Sequence, residues 1–465
     1  MNERTRELET LPVKKLVIQY SLPTVIAMVV NSIYNMVDRI FVGHYVGEAA
    51  LAGLTIAFPM MLMSMALAML LGGGAAPLIA IRLGQKNSEG AARIFGTLVT
   101  VLFTVSLLVT VFGEIFLRPL LTLFGAEAET MVHVLPYMRI IFIGLGFQLL
   151  AINMTNIVRT EGHPRMAMAT QIASALINLV LDFLFVVVFH WGIRGAAAAT
   201  IIGQILGFLW LAGYYLLGKS SLELKPAYFI PRPGLMKEMV ALGFSLFVTQ
   251  FGASFSMLVL NRFLKGYGGT PALTAMGAIN SLYTLFIMPL IGLQHGLQPI
   301  IGYNFGAGLR RREWDTLRFG IILGVGFASF VWLLLQLFPG FFLTLFIPGE
   351  SATIPVAVQG LRIFVLMLPL LGFQMTGNSY FMAVNKPKEA LLLSALRQFI
   401  LLLPLLVILA PLMGLLGVWM ATPLADGLAS GATMLLVALT LRREKKEVSR
   451  REREELARPE AGTGA

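Results

Sequence analysis

The stretch PLIAIRLGQ, residues 77–85, returns as PIIGYNFGA at 299–307, 222 residues further along the chain. The match has company. GAAAAT at 195–200 pairs with GVWMAT at 417–422 at the same offset, and Arg139-Ile140 with Arg362-Ile363 and His163-Pro164 with Lys386-Pro387 at 223. A constant offset over four places marks an internal repeat of the kind that builds transporters, with substrate held between two halves that rock. Between the copies lies KSSLELKPAYFIPRPG, residues 219–234, which reads as a linker rich in proline. The expected organisation is an N-terminal segment (1–14), a first half (15–218), the linker (219–234), a second half (235–441) and a basic tail (442–465).

Composition fixes the medium. Of 465 residues, 57% are hydrophobic and only 13% charged, against about 25% charged in soluble domains. Twelve apolar runs recur near 15–44, 50–81, 93–120, 130–158, 165–190, 195–217, 236–265, 271–303, 316–346, 353–384, 389–412 and 416–441. Each suffices for the roughly 20 residues that a bilayer crossing needs. The expected fold is an all-α membrane protein of twelve helices in two six-helix lobes. Six spans per half make the repeats parallel in the membrane.

The net charge of +11 does not point to nucleic acid, because of where it lies. With both termini on one side, 28 of the 35 Lys and Arg residues fall on that side. This asymmetry places both termini in the cytoplasm. The N-terminus, MNERTRELETLPVKK, has no cleavable-signal pattern, and the tail reads as a solvated end. The absence of cysteine excludes disulfides and thiolate chemistry. Prolines inside the runs (Pro23, Pro59, Pro77, Pro289, Pro299, Pro369 and Pro404) are candidate kinks or hinges. The 24 methionines and 32 phenylalanines suit a pocket tolerant of shape, although most must face lipid or other helices.

GYYLLGKS at 213–220 satisfies the phosphate-loop pattern by letter. That loop needs free backbone N–H groups after a strand. Here the stretch closes an apolar run whose N–H groups are already used by a helix, so no ATP is expected.

The chemistry then rests on carboxylates inside the runs. A carboxylate in a bilayer costs several kcal/mol unless compensated, which makes function the first hypothesis. Asp38, Asp182 and Asp426 are the deep ones; Glu114, four residues before Arg118, reads as an ion-paired anchor. Helical rise puts Asp38 about 9 Å, Asp182 about 12 Å and Thr200 about 8 Å from the outer ends of their spans. Polar neighbours share helix faces with them: Asn31, Tyr34 and Asn35 before Asp38; Gln171, Ser174 and Asn178 before Asp182; Gln204 after Thr200; and Asn153 with Asn156 on the fourth span. Polar glue between helices explains the amides and not the aspartates, since amides give the same glue without an ionisation cost. Burial and mutual proximity raise the pKa of such carboxylates toward physiological pH, and a pair titrates as a unit. A proton or Na⁺ entering from outside neutralises the site, and an organic cation competes for the same charge. Asp426, which aligns with Gln204, is a candidate second site, and His295 is a candidate proton shuttle or packing histidine.

NSIYNMVDRIFVGH, with Tyr34, Asn35 and Asp38, resembles the first helix of multidrug and toxic compound extrusion (MATE) transporters. ALINLVLDF with Asn178 and Asp182, and GAAAAT with Thr200, resemble the prokaryotic branch with its cation site in the N-terminal half; GLQPIIGYNFGAG at 296–308 resembles the family's eighth helix. The resemblance implies a V-shaped pair of lobes in a prokaryotic cell membrane. It also implies antiport, with H⁺ or Na⁺ entering while cationic amphiphiles leave, and a possible Na⁺ site at Asp38, Asn178, Asp182 and Thr200. No cofactor beyond the coupling ion and no structural metal is expected, and the chain is expected to work as a monomer. A flippase for lipid-linked saccharides and a channel are the rival readings.

Overall fold

A chain in lipid must satisfy its backbone polar groups internally, and the apolar runs do so as helices. The computed structural model describes residues 3–456, except Gly47, Gly125, Glu127, Lys219 and residues 348–352. Side chains are not described at 3–6, 35, 36, 38–44, 48–53, 55, 56, 58, 59, 129 and 447–456. In the first half run α1 (Glu3–Thr10), α2 (Val13–Tyr45), α3 (Glu48–Gly72), α4 (Ala75–Gly84), α5 (Ser88–Leu123), α6 (Ala128–Thr160), α7 (Pro164–Asp182) and α8 (Gly192–Leu216). The second half holds α9 (Pro233–Gly306), α10 (Arg310–Leu337), α11 (Pro339–Thr344), α12 (Thr353–Phe364), α13 (Leu368–Ala383), α14 (Pro387–Ala395), α15 (Leu403–Met413) and α16 (Leu415–Leu456).

Among the described residues, ten helices are long and apolar enough to cross a membrane, or eleven when α12 and α13, bent by 47° at their junction, form one span. That count takes α9 as one helix of 74 residues. Its run of helical geometry is broken at Gly269, whose backbone (φ 63°, ψ −159°) an L side chain would resist.

The internal repeat reappears in the backbone. Left-handed residues mark helix boundaries at Lys86 and Gly308, at Gly162 and Asn385, and at Gly192 and Gly414, offsets of 222, 223 and 222. Each half also carries a π-helical segment in its fifth long helix, Phe183–Val188 after α7 and Leu396–Leu402 after α14. Such wide turns interrupt the regular hydrogen-bond ladder and are frequent at functional sites.

The halves meet along α9, which packs on α2, α3 and α4. One apolar core joins first-half residues such as Leu78, Leu83 and Leu150 to Leu297, Ile301, Tyr380 and Leu393 of the second half. A separate core, built from residues such as Leu264, Ile279, Leu361 and Trp419, belongs to the second half alone. Backbones of the two halves approach closely at several glycines, among them those of the opening motif and its repeat. A Cβ on Gly84 would sit 2.0 Å from the Tyr303 carbonyl oxygen, and one on Gly306 would sit 2.1 Å from that of Ile81. The two contacts are mates under the 222-residue repeat.

Several expectations need correction. In the N-terminal segment, α1 packs on the second half. Leu8 of α1 is fully buried; its carbonyl lies 3.3 Å from Asn304 Nδ2 and 3.3 Å from Arg312 Nη2, while the Leu11 carbonyl accepts from Arg312 Nη2 at 2.6 Å. The linker is packed too. Thr100 Oγ1 donates to the Phe229 carbonyl (2.7 Å), and Arg93 lies over the Tyr228 ring. The tail begins inside the fold, because α16 continues to Leu456 and Glu444 is buried, accepting from Lys386 Nζ at 2.8 Å. Glu114 pairs with Arg139 (3.4 Å) on the neighbouring helix α6 rather than with Arg118 on its own. Pro23, Pro289 and Pro299 lie within helices. Pro77 and Pro369 sit in the first turns of α4 and α13, beside the breaks that precede those helices, and Pro404 lies inside the continuous span Pro387–Met413, just after its π-helical segment. The ring of Pro59 lies outside the described side chains.

Candidate functional site

The predicted polar residues separate into three places. The first is in the N-terminal half. Close packing of α7 on α8 turns Asn178 toward Thr200, and Asn178 Nδ2 donates to Thr200 Oγ1 at 3.4 Å. Asn178 and Asp182, one turn apart on α7, are 4% and 1% exposed. The Asn178 Oδ1 atom is buried with no partner among the described residues. The π-helical segment begins at the residue after Asp182, so the helix changes pitch at its buried carboxylate. The N-terminal half of this stripe continues with Ser174 and Gln171, both half-buried, with Gln204 facing them from α8.

The backbone of α2 packs along α7. Tyr34 is half-buried and Asn31 exposed. Asn35 and Asp38 lie on the same helix, but their side chains fall outside the described residues. The described groups here are a buried carboxylate, an amide oxygen with no partner among the described residues one turn before it, and the Thr200 hydroxyl. No group of three or more His, Cys, Asp or Glu able to hold a metal occurs among the described residues.

The second place is the seam between the halves. Asn153, Asn156 and His295 line a cavity of about 30 Å³ together with Met65, Met69 and Gln298. That volume holds about one water molecule and no drug-sized compound. Asn153 is tied to its own helix, donating to the Leu149 carbonyl (2.9 Å). Asn156 Oδ1 accepts from Arg159 Nη1 (3.1 Å), and Arg159 is 2% exposed. In this conformation these residues close the seam.

The third is in the C-terminal half. Asp426 is 5% exposed and is not alone: Arg397 Nε donates to its Oδ1 at 2.6 Å. Arg397 sits in the second π-helical segment, and Tyr283 is its other polar neighbour.

Sequence reasoning did not single out Arg397, although a cation inside LLLSALRQFILLL was a visible signal. It also passed over Glu161, and the GYYLLGKS stretch is organised around that residue. Gly213 to Leu216 are helical, so their N–H groups cannot wrap a phosphate. The Tyr214, Tyr215 and Ser220 hydroxyls and the Ser221 N–H donate instead to the Glu161 carboxylate at 2.6–3.1 Å. Burial raises the pKa of this carboxyl above its ordinary value, while those four donors pull it down. A matching knot in the second half has the Tyr380 hydroxyl within hydrogen-bond distance of both Glu313 (2.9 Å) and Glu444 (3.2 Å).

Comparison with known proteins adds independent evidence. The MatE family model matches residues 23–184 and 245–436, well over half of the chain. The multidrug export protein MepA of Staphylococcus aureus (strain MRSA252) is 25% identical over 440 residues, covering 94% of this chain and 96% of that protein. The protein of the same name from Staphylococcus saprophyticus is likewise 25% identical, over 445 residues, with the same coverage. Among solved structures, an outward-facing multidrug resistance MATE transporter of the MOP superfamily superposes with a TM-score of 0.89 at 24% identity, covering 96% of this chain and 99% of that one. A MOP superfamily transporter from Pyrococcus furiosus, described as having a binding pocket of reverse polarity, gives 0.90 at 23%, again covering 96% and 99%.

Proposed function

Because the chain belongs to the MatE family, we propose that it is a secondary active multidrug exporter and not an enzyme: H⁺ or Na⁺ moving inward drives cationic, amphiphilic compounds outward by alternating access. The observation that carries this reading is Asp182, a carboxylate 1% exposed in an apolar helix, with the Asn178–Thr200 contact one turn away and a π-helical segment beginning beside it. A proton from outside neutralises this carboxylate. Na⁺ achieves the same neutralisation with Asn178 Oδ1 and Thr200 Oγ1 as further oxygen ligands. Asp38, on the helix packed along α7, supplies the second charge, with Asn35 and Tyr34 beside it. An organic cation competes with the ion for this negative charge, and that competition couples the two flows.

Breaking α9 at Gly269 and joining α12 to α13 gives twelve spans, six in 15–218 and six in 235–441. Both termini then lie in the cytoplasm of a prokaryotic cell, and the seam around Gly84 and Gly306 closes the cytoplasmic side. The working unit is a monomer.

The test is transport of a fluorescent organic cation by purified protein in proteoliposomes, with pH and Na⁺ gradients imposed separately. One gradient drives uptake against the substrate gradient, ATP alone drives none, and Asp182→Asn abolishes the driven component. Driven transport undiminished in Asp182→Asn would overturn the reading, and gradient-independent conductance would show a channel.

A further inference from the structure

The internal repeat places the charged pair of the second half on the polar stripe of the first. Arg397 lies 223 residues after Ser174, and Asp426 lies 222 after Gln204. In the first half, Ser174 abuts α8: a Cβ on Gly207 would meet its hydroxyl at 2.4 Å. Gln204 on that helix is half-buried, and its Oε1 has no partner among the described residues. One pair of helix faces therefore carries neutral groups in one half and opposite full charges in the other.

Stability alone does not account for these charges. Arg397 and Asp426 side chains are 21% and 6% exposed, in helices apolar enough to cross a membrane. Replacing a buried ion pair by apolar groups of similar size is often neutral or stabilising, whereas removing one partner leaves a costly lone charge. The guanidinium is bound as a ligand would be, with Nε 2.6 Å from the carboxylate and Tyr283 as its other polar neighbour. A π-helical segment surrounds Arg397 just as one follows Asp182.

We propose that Arg397 is a built-in occupant of a cation site formed by Asp426 and Tyr283, filling from within the place that an external guanidinium or other organic monocation would take. The consequence is asymmetry. The C-terminal carboxylate keeps a permanent counter-ion and leaves the exchange to Asp182. This inference builds on the coupling role proposed above for Asp182, and its test is separable from that role.

The experiment is equilibrium binding of methylguanidinium to the purified full-length protein in detergent. Arg397→Ala is expected to bind one more equivalent per chain than the wild type. Arg397→Ala/Asp426→Asn is expected to lose that equivalent, and Arg397→Ala/Asp182→Asn to keep it. No extra equivalent in Arg397→Ala, or an extra equivalent that survives Asp426→Asn, overturns the proposal. If Arg397→Ala folds poorly, its folded yield becomes the readout. Methylguanidinium in the buffer then restores the yield, and the double variant with Asp426→Asn needs none; failure of that rescue is equally fatal. An error in the coupling scheme would appear elsewhere, as driven transport persisting in Asp182→Asn, and would leave the methylguanidinium count unchanged.

Discussion

Replacing Gly84 or Gly306 by alanine should open the cytoplasmic seam. A Cβ at Gly84 would stand 2.0 Å from the Tyr303 carbonyl oxygen and 2.9 Å from the Ala307 nitrogen, and one at Gly306 would stand 2.1 Å from the Ile81 oxygen. Ordinary contact begins at 3.4 Å, so α4 and the end of α9 must part by about 1.4 Å, a shift that overpacked interiors resist. The obstructing atoms are main chain on both sides, so no rotamer change relieves the clash. Overpacking of this kind costs about 1–3 kcal/mol, which corresponds to a shift of about 5- to 150-fold between two states. On the alternating-access reading proposed above, the seam exists only in the inwardly closed state, so that state bears the whole penalty. The absence of native cysteine makes the assay direct. Ala80→Cys, at a position 1% exposed in the seam, is labelled in inverted vesicles with a membrane-impermeant maleimide. The labelling rate should rise within that range in both alanine variants, and by similar factors, because the two contacts are repeat mates. Unchanged rates, or a rise in only one variant, would refute the reasoning.

Burial holds the Glu161 carboxyl above its ordinary pKa. A raised folded-state pKa means stability that is full below the unfolded value near 4.5 and lost as pH climbs through the raised one. The melting temperature of the wild type relative to Glu161→Gln should therefore fall as pH rises from about 4.5; a difference that grows with pH would mean that the four donors outweigh burial. Arg312→Ala removes charged hydrogen bonds to the Leu8 and Leu11 carbonyls, each worth about 1.5–3 kcal/mol. Tryptic cleavage at Lys14 and Lys15 in inverted vesicles should then accelerate at least about tenfold, and an unchanged rate would mean that α1 is held elsewhere. Thr200→Val removes the hydroxyl facing Asn178 while keeping shape. If Na⁺ is the coupling ion, its half-saturating concentration should rise several-fold, with little change at saturation.

The repeat was legible because chain reversals impose a backbone requirement that survives drift elsewhere: Lys86 and Gly308, or Gly162 and Asn385, differ in side chain and share a left-handed turn. Asp182 was legible because a carboxylate in LINLVLDFLF has no cheap structural excuse. Partners across helices were not legible. The i, i+3 and i, i+4 spacings show which residues share a face, but not which helix lies opposite. Asn153 and Asn156 thus looked like one polar pair; the first bonds its own backbone and the second meets Arg159. Asp426 looked isolated because its partner Arg397 comes from another helix, and the repeat maps both onto neutral residues. The docking of α1 left no pattern at all, since Arg312 and Asn304 grip main-chain oxygens that every residue type carries.

That grip ties together two parts of the molecule that are far apart in the chain. Only Leu11 and Pro12 separate α1 from α2, so the short helix has almost no slack. Its carbonyls are held by residues of the second half, while the helix that follows it carries Asn35 and Asp38 in the first. If alternating access parts the inner ends of the two halves, those two residues are the shortest covalent link between the gripped carbonyls and α2. On the alternating-access reading, the N-terminal helix is thus a tether between the second half and the helix that carries Asn35 and Asp38.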